Sequence, residues 1–539
     1  MPVPLADLQV ITEPLGGSPL SVAAQRGDVP DQWYGPRPAT LAEWGAHARR
    51  VADAFDDRDW LGALAPALSP SGEAAERLNR AATGGGVAVT TGQQPGLFGG
   101  PAYTFSKALS ALALADELEA QTGLPVVPIF WAATDDADFE EARWTAVAVS
   151  GGVAWLELRD QPPSGTPMAD APLGDVTTEL AELVRAAGSA AFGDALDAAR
   201  NAYRPGATIG GAYVALLRAL LEPLGIAVLD ASHPAVRRQG GAVHRAALVR
   251  ATDVAGALTA RAAELRAAGF EPQVPDVPEL SLVFGRVRGL KRRIPIHEAR
   301  AAADSVELEA LSPNVLLRPL LERAILPTVA YAAGPAELAY FAQVSAVAQA
   351  LGVETPLAVP RWSTTIIEPH VNRILRRLSL RHTDLRDPHG PEGRLARASL
   401  PRSVATALAR LREAVDRAAA ALSSDADAAA LVPAAAVGGA RAALLDRLER
   451  LERRYVAATK RREEDVMRAV ATARAHLFPE GKRQERSLNF IPMLARQGPP
   501  LLAAMGDAAR AHARLLIGPP GLVATAGVAP LRVERGARS

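Results

Sequence analysis

The chain contains no cysteine. That absence removes disulfides, thiolate nucleophiles and cysteine-ligated zinc or iron–sulfur centres. Any thiol chemistry therefore belongs to a substrate. Histidine is scarce, with 9 residues in 539 and no HxxxH pair, so a histidine-held metal is not expected and no protein metal site is assigned. An excess of one charge is also missing, because 59 basic residues balance 59 acidic ones. Zero net charge argues against a nucleic-acid binder that works through a basic surface, though it allows a local basic pocket. No run of about eighteen uninterrupted apolar residues occurs, so no membrane span is expected. The opening MPVPLADLQVITEPLGG lacks a basic segment followed by an apolar one, and no signal peptide is read there. A cytoplasmic protein follows, long enough for two or more domains.

What is present is organised around Val87 to Glu141. A β-branched apolar run, Val87 to Thr90, leads into the turn-rich Gly92-Gln93-Gln94-Pro95-Gly96-Leu97-Phe98-Gly99-Gly100-Pro101. Helical spacing follows from about Ala102 to Ala120. A second apolar run, Val126 to Trp131, ends in Asp135, Asp136 and Asp138. Strand, loop, helix and strand make a βαβ unit, which requires a parallel sheet. The fold class is therefore α/β. Ligands of such sheets lie at the carboxyl ends of the strands, where the glycine loop and the aspartates both fall. Two uses fit the glycines. Bare backbone N–H groups at a helix start suit a phosphate or carboxylate, and a glycine turn also packs a helix closely on a sheet. Neither a Walker A nor a GxGxxG pattern is present.

Before this unit, Leu41, Trp44, Ala48, Val51 and Phe55 mark an amphipathic helix. Trp33 and Trp44 read as core anchors. After it, Gly151-Gly152 joins two strand-like runs in a hairpin. Gln161 to Pro172 reads as a surface loop. Helices are predicted at Val176 to Ala187, Phe192 to Ala202 and Ala212 to Leu221. Gly225 to Asp230 reads as another parallel strand ending in an acid, followed by a helix from Pro234. The runs Leu280 to Phe284, Gly285 to Arg288 and Arg293 to Ile296 suggest a small antiparallel meander. Its basic run, Arg286, Arg288, Lys291, Arg292 and Arg293, reads first as a solvated face and second as an anion site. A third strand–turn–helix junction is read at Pro327 to Tyr331, Gly334-Pro335 and Ala336 to Leu351, with a last short strand at Leu357 to Pro360.

Beyond His370 the spacing changes. Val404, Leu408, Leu411, Val415, Ala418 and Leu422, and then Leu444, Leu448, Leu451 and Tyr455, step by three and four. This is seam spacing for a helical hairpin, with arms near 401–423 and 441–476 and Gly438-Gly439 closing the tract between them. Either a dimerisation arm or a bundle packed on the core fits. The expected division is 1–400 for the core, with insertions at about 144–225 and 270–310, 401–476 for the hairpin, and 477–539 for a segment returning to the core. That last segment carries a helix at about Pro499 to Ala513.

The segments GQQPGLFGGPAYTFSK, VPIFWAATDDADFEE, LSPNVLLRP, LPTVAYAAGPAELAYF and FPEGKRQERSLNF occur in this order. Together they resemble the bacillithiol biosynthesis cysteine-adding enzymes, the BshC family, over roughly residues 85 to 500. The resemblance implies a ligase that joins cysteine to the amino group of glucosaminyl-malate. It also implies a Rossmann-like core with inserted connecting segments and a helical coiled-coil domain used in a homodimer. One position departs from the family motif: Ala137 stands where an EDHD-type sequence has histidine. Any substrate contact or proton transfer made by that histidine is made differently, or less well, here.

Amide formation needs a leaving group on the carboxyl, so ATP or another nucleotide with Mg2+ is inferred. The loop lacks HIGH-type histidines, and Gly99-Gly100-Pro101 stands in their place. Asp135, Asp136 and Asp138 are the candidate catalytic acids, with helix capping as their alternative. Candidate substrate- or nucleotide-binding groups are Gly92, Gln93, Gln94, Gly96, Gly99, Gly100, Tyr103, Thr104 and Lys107 around the first junction. Asn314, Arg318, Gly334, Glu337 and Tyr340 stand at the third, and Lys482, Gln484 and Arg486 in the tail. Two other functions fit the same residues. One is a related class I nucleotidyltransferase-like, amide-forming enzyme with a different substrate. The other is a non-catalytic dimer that binds an anionic metabolite.

Overall fold

A computed structural model describes residues 7–55, 57 and 59–518, with the backbone of 531–532. Positions 519–530 and 533–539 of the expected C-terminal segment lie outside the described residues. The chain divides into two compact units. One comprises Met1–Val147, Ala154–Glu368 and Gln484–Ser539; the other comprises Ala148–Val153 and Pro369–Arg483.

The first unit is built on five parallel strands: β1 (Val87–Gln93), β2 (Val126–Ala132), β3 (Ala227–Asp230), β4 (Thr328–Ala333) and β5 (Ala358–Pro360). Their order is β5-β4-β1-β2-β3. This is a Rossmann-like arrangement, and the strand order reverses between β1 and β4, where such sheets bind ligands. Helix α1 (Tyr103–Thr122) supplies the crossover from β1 to β2. Every residue of β2 is buried. Val127, Ile129 and Trp131 enter one apolar core with Trp60, Leu64 and Leu78, while the alternate Phe130 is buried as well. A sheet covered on both faces explains why these strands read as unbroken apolar runs. Trp33 and Trp44 are buried, as expected of core anchors.

β1 continues past Thr90 to Gln93, so Gly92 belongs to the strand. A side chain at Gly92 would put its Cβ 2.8 Å from the Trp131 carbonyl oxygen on β2, which only glycine avoids. The expected three-run meander is corrected to a hairpin. Leu280–Val287 is one strand, paired antiparallel with Leu290–Pro295, and the short Ser312–Pro313 adds to its other edge. The turn falls at Arg288 and Gly289, where φ is 54° and 83°, and Gly285 stays in the strand. Two further helices shape the site, α2 (Arg318–Ile325) and α3 (Pro335–Leu351). The closing helix is longer than expected, Ile491–Leu516, and it breaks at Gly498 (φ 55°) ahead of Pro499 and Pro500.

Apart from Ala148–Val153, the second unit runs from Pro369 to Arg483 and so takes in residues that the sequence pattern assigns to the core. Within it, α4 (Arg402–Ser424) and α5 (Ala434–Arg462) form an antiparallel pair. Asp416 meets Arg441, and Arg412 meets Glu452, which fixes the direction. Gly438 and Gly439 do not end the connecting tract but lie inside α5, which starts after Pro433. The second arm is also interrupted at Glu463, and a separate helix, Glu464–Leu477, follows. No helix among the described residues is long and apolar enough to cross a membrane.

Candidate functional site

A cleft of about 630 Å³ opens where β1, β2 and β4 end. One wall is the β1–α1 junction and the start of α3. The facing wall is the hairpin, through Phe284, Lys291 and Arg293.

At the base lies Lys107, one turn into α1. Its Nζ donates to the Gly92 carbonyl (2.7 Å) and to Gln93 Oε1 (2.9 Å), and it pairs with Glu337 Oε2 at 2.7 Å. All three ammonium protons are used. Lys107 therefore ties the end of β1 to the first turn of α3 and has no proton left for a ligand. Glu337 also accepts the Gly334 N–H and the Tyr331 hydroxyl, each at 2.5 Å. Burial would raise its pKa, but the Lys107 ammonium reverses this and holds the carboxyl below its usual range. Pro335 opens α3 and Glu337 reaches back to the Gly334 N–H, so this carboxylate also caps its own helix.

Arg318 opens α2. It donates Nη1 to Glu322 (2.7 Å) and Nη2 to the hydroxyls of Tyr331 (3.1 Å) and Tyr340 (3.2 Å). Burial pushes Glu322 up to about 7, against the pull of Arg318. Asn314 Oδ1 accepts the N–H groups of Leu316 and Leu317 at 3.1 and 3.0 Å and so fixes the turn that leads into the same helix.

The amide of Gln93 has a fixed orientation. Its oxygen accepts from Lys107, and its nitrogen donates to the Tyr103 hydroxyl and to Glu141 Oε1, both at 3.2 Å. Gln94 Nε2 donates to Asp136 Oδ2. Asp136 Oδ1 accepts the N–H groups of Ala137 (2.6 Å) and Asp138 (3.3 Å). The segment expected as a surface loop holds this turn from behind, with Met168 N–H on the Asp136 carbonyl (2.7 Å) and Ala169 N–H on that of Thr134 (2.9 Å). Asp135 faces Lys291, whose Nζ donates to its carbonyl (2.6 Å) and lies 3.5 Å from its carboxylate. Arg361 and Arg486 both stand about 5.9 Å from the centre of the Tyr103 ring. Arg361 is held by Glu485 in two bonds of 2.9 Å.

The structure thus brings Gly92, Gln93, Gln94, Tyr103, Lys107, Asp135, Asp136, Asn314, Arg318, Gly334, Glu337, Tyr340 and Arg486 to one cleft. Other expected groups lie elsewhere. Asp138 accepts the Glu141 N–H at 3.1 Å and caps the short helix Phe139–Ala142, the alternative reading of the acids. Gly96, Gly99 and Gly100 do not line the cleft. The Gly99 N–H bonds to the Gly96 carbonyl (2.9 Å) and to the Tyr203 hydroxyl (3.3 Å), and the Gly100 N–H bonds to the Leu97 carbonyl (3.0 Å). The turn is closed on itself, and Gly99 (φ 86°) packs against Phe490. Close packing is what these glycines serve. Thr104 is buried behind the cleft. Gln484 clamps the backbone N–H and carbonyl of Ile366, each at 2.8 Å. Lys482 belongs to the second unit.

Sequence reasoning missed Trp131, Glu141, Tyr331 and Arg361, which line the cleft, and it read Lys291 and Arg293, which also line it, as an anion site only in second place. For these last two a stronger signal exists. Side chains alternate along a strand, so Lys291 and Arg293 share one face of the hairpin and point together, while Arg292 does not.

A sequence profile described as "Bacillithiol biosynthesis BshC, N-terminal Rossmann-like domain" matches residues 58–362. Another, described as "Bacillithiol biosynthesis BshC, C-terminal coiled-coil domain", matches 364–513. Proteins named "Putative cysteine ligase BshC" are similar over most of the chain. That of Solibacter usitatus (strain Ellin6076) is 33% identical over 461 residues, covering 83% of this chain and 86% of the relative. That of Koribacter versatilis (strain Ellin345) is 34% identical over 459 residues, covering 80% and 83%. That of Heliobacterium modesticaldum (strain ATCC 51547 / Ice1) is 30% identical over 534 residues, covering 91% of each.

Proposed function

The chain belongs to the bacillithiol biosynthesis BshC family, and from that premise we propose that it is a ligase joining the carboxyl of cysteine to the amino group of glucosaminyl-malate. The cleft carries this reading. The lining holds the carboxylates of Asp135, Asp136 and Glu141 together with the cations Lys291, Arg293 and Arg486. Such a lining offers partners both to an amine and to carboxylates. Absence of cysteine from the chain fits a reaction in which the only thiol is the substrate's.

Loss of an oxygen from the cysteine carboxyl requires activation, and a nucleoside triphosphate with Mg2+ is the proposed co-substrate. Of the groups present, Lys291, Arg293 and Arg486 fit its phosphates, and Asp135 and Asp136 offer hard oxygen ligands to the metal. The glycine turn does not serve as a phosphate cradle in this reading, because its Gly99 and Gly100 N–H groups are already bonded within the protein. Gln93 and the Lys107–Glu337 pair keep the two strand ends in register, so that both substrates meet at fixed distance. A cytoplasmic homodimer assembled through α4 and α5 completes the proposal.

The test is turnover of cysteine, glucosaminyl-malate and ATP with Mg2+ by the purified full chain, followed by mass of the thiol product. Product is expected, with Asp135→Ala lowering kcat/KM by about 100-fold, as for loss of one preorganised polar contact. No product with ATP or any other nucleoside triphosphate, from a folded protein, overturns the ligase reading.

A further inference from the structure

We infer that Glu141 is the catalytic residue that takes the proton from the attacking amine. This assignment rests on the ligase reading above. It comes from asking which group in the cleft, whose lining includes Ala137, is able to accept a proton.

No histidine is among the residues that line the cleft. Its arginines stay protonated in a protein. Lys107 and Lys291 each face a carboxylate. Tyr103, Tyr331 and Tyr340 are all pushed upward, first of all by burial, and do not ionise near neutrality. Of the carboxylates, Glu337 is saturated by Lys107, Tyr331 and the Gly334 N–H. Both oxygens of Asp136 are engaged, by Gln94 and by two backbone N–H groups. Asp135 stands against the Lys291 ammonium.

Glu141 differs from all of these. Its Oε1 accepts one hydrogen bond from the neutral amide of Gln93 at 3.2 Å, and Oε2 has no partner among the described residues. No lysine or arginine forms an ion pair with it among those residues. Gln93 is itself oriented by Lys107, so the carboxylate is aimed through a chain that begins on the strand. Burial, with the nearby charges of Asp138 and Asp136, raises the carboxyl above its usual range, against the pull of the Lys107 and Arg486 cations. A base moved toward neutrality is better matched to an amine.

In the step, the ammonium of glucosaminyl-malate gives one proton to Glu141 Oε2. The freed lone pair attacks the cysteine acyl carbon, whose carboxyl oxygen carries a phosphoryl or nucleotidyl group from the nucleoside triphosphate. The C–N bond forms as the C–O bond to that group breaks, and inorganic phosphate or the nucleoside monophosphate, respectively, leaves with the electron pair. The second proton of the amine passes to water.

Two acceptors test the assignment. Glucosaminyl-malate is protonated in water, whereas hydroxylamine is largely unprotonated at neutral pH and needs no base. Glu141→Gln is expected to lower kcat with glucosaminyl-malate by about 10²–10⁴-fold. It is expected to keep hydroxamate formation from cysteine and hydroxylamine within a few-fold of wild type. Glu141→Asp should recover part of the loss. In wild type, kcat/KM should fall as pH drops through the pKa of Glu141, and in Glu141→Gln this acid limb should move to higher pH. Equal loss of product and hydroxamate, or an unchanged pH limb, overturns the base. Unimpaired product formation by Glu141→Gln does the same. Wild type that forms neither product nor hydroxamate overturns the ligase reading and the base with it.

Discussion

Two ion pairs of the same chemistry sit in opposite settings. Arg361 and Glu485 in the first unit are 1% and 2% exposed at their side chains. Glu485 also accepts the Ser363 hydroxyl at 2.7 Å and the Thr364 N–H at 3.2 Å. Arg412 and Glu452 on the helical arm approach to 3.2 Å, with side chains 50% and 21% exposed. The apolar residues show the reverse contrast. Leu411 and Leu444 on the arm are each 51% exposed, whereas the leucines of the first unit's cores are buried. The first unit thus uses buried charge as a geometric constraint behind its cleft. The arm keeps its charges in water and leaves apolar surface uncovered.

The contrast is tested most severely by truncating one partner of each pair. Glu485→Ala leaves the Arg361 guanidinium buried without a counter-charge, and should cost the first unit about 3–5 kcal/mol. Glu452→Ala should cost under ~1 kcal/mol, because water replaces the partner. All 7 tryptophans lie in the first unit, so denaturant unfolding followed by tryptophan fluorescence reports on that unit, and circular dichroism reports on both. Equal losses in the two variants would break the comparison.

Acid should act on the first unit through two buried histidines. Burial pushes His244 and His512 down to about 4. His512 Nε2 lies 3.0 Å from the Pro360 carbonyl. Both rings are neutral when folded at neutral pH, and each gains a proton near pH 6.5 on unfolding. Their contribution is therefore fully present above about pH 6.5 and is lost as pH falls toward 4, by up to about 3 kcal/mol each. Glu322 works in the other direction. Its carboxyl is raised to about 7, so protonation favours the folded state as pH falls from there. Comparison with variants separates the terms. The unfolding midpoint of His512→Gln should depend less on pH between 6.5 and 4 than that of wild type. Parallel curves would show that His512 is not held neutral.

The parallel sheet was legible because its strands are buried on both faces and read as continuous apolar runs. The strand ends then located Gln93, Gln94, Asp135, Asp136 and Glu337 without any tertiary information. The glycine turn was ambiguous for a physical reason: bare backbone serves a ligand and a close helix contact equally, and only the partners of the Gly99 and Gly100 N–H groups decide. Lys107 showed its position but not its use, since its three acceptors come from β1 and α3, far apart in sequence. Arg361 was beyond reach because its partner, Glu485, lies 124 positions away. Lys291 and Arg293 could have been found by strand alternation, but a basic run reads first as a solvated face. Glu141 sat at the edge of the quoted acidic motif, and its lack of a cationic partner is visible only in three dimensions.

The smallest effect on folding should accompany the largest change in assembly. If α4 and α5 are where two copies of the chain meet, the half-exposed Leu411, Leu444 and Leu451 are the surface to remove. Replacing each by serine takes apolar area from a face already in water in the isolated chain. The first unit's fluorescence midpoint should then move by no more than ~0.5 kcal/mol, as for surface substitutions. Sedimentation equilibrium should show the wild-type dimer falling to a monomer. A triple variant that stays dimeric would move the interface away from this seam, and a monomeric wild type would remove the homodimer. Only a loss of dimer with an unmoved midpoint fits an arm whose apolar face is kept for a partner, because a seam needed by its own hairpin would unfold the arm and reduce its helical signal as well.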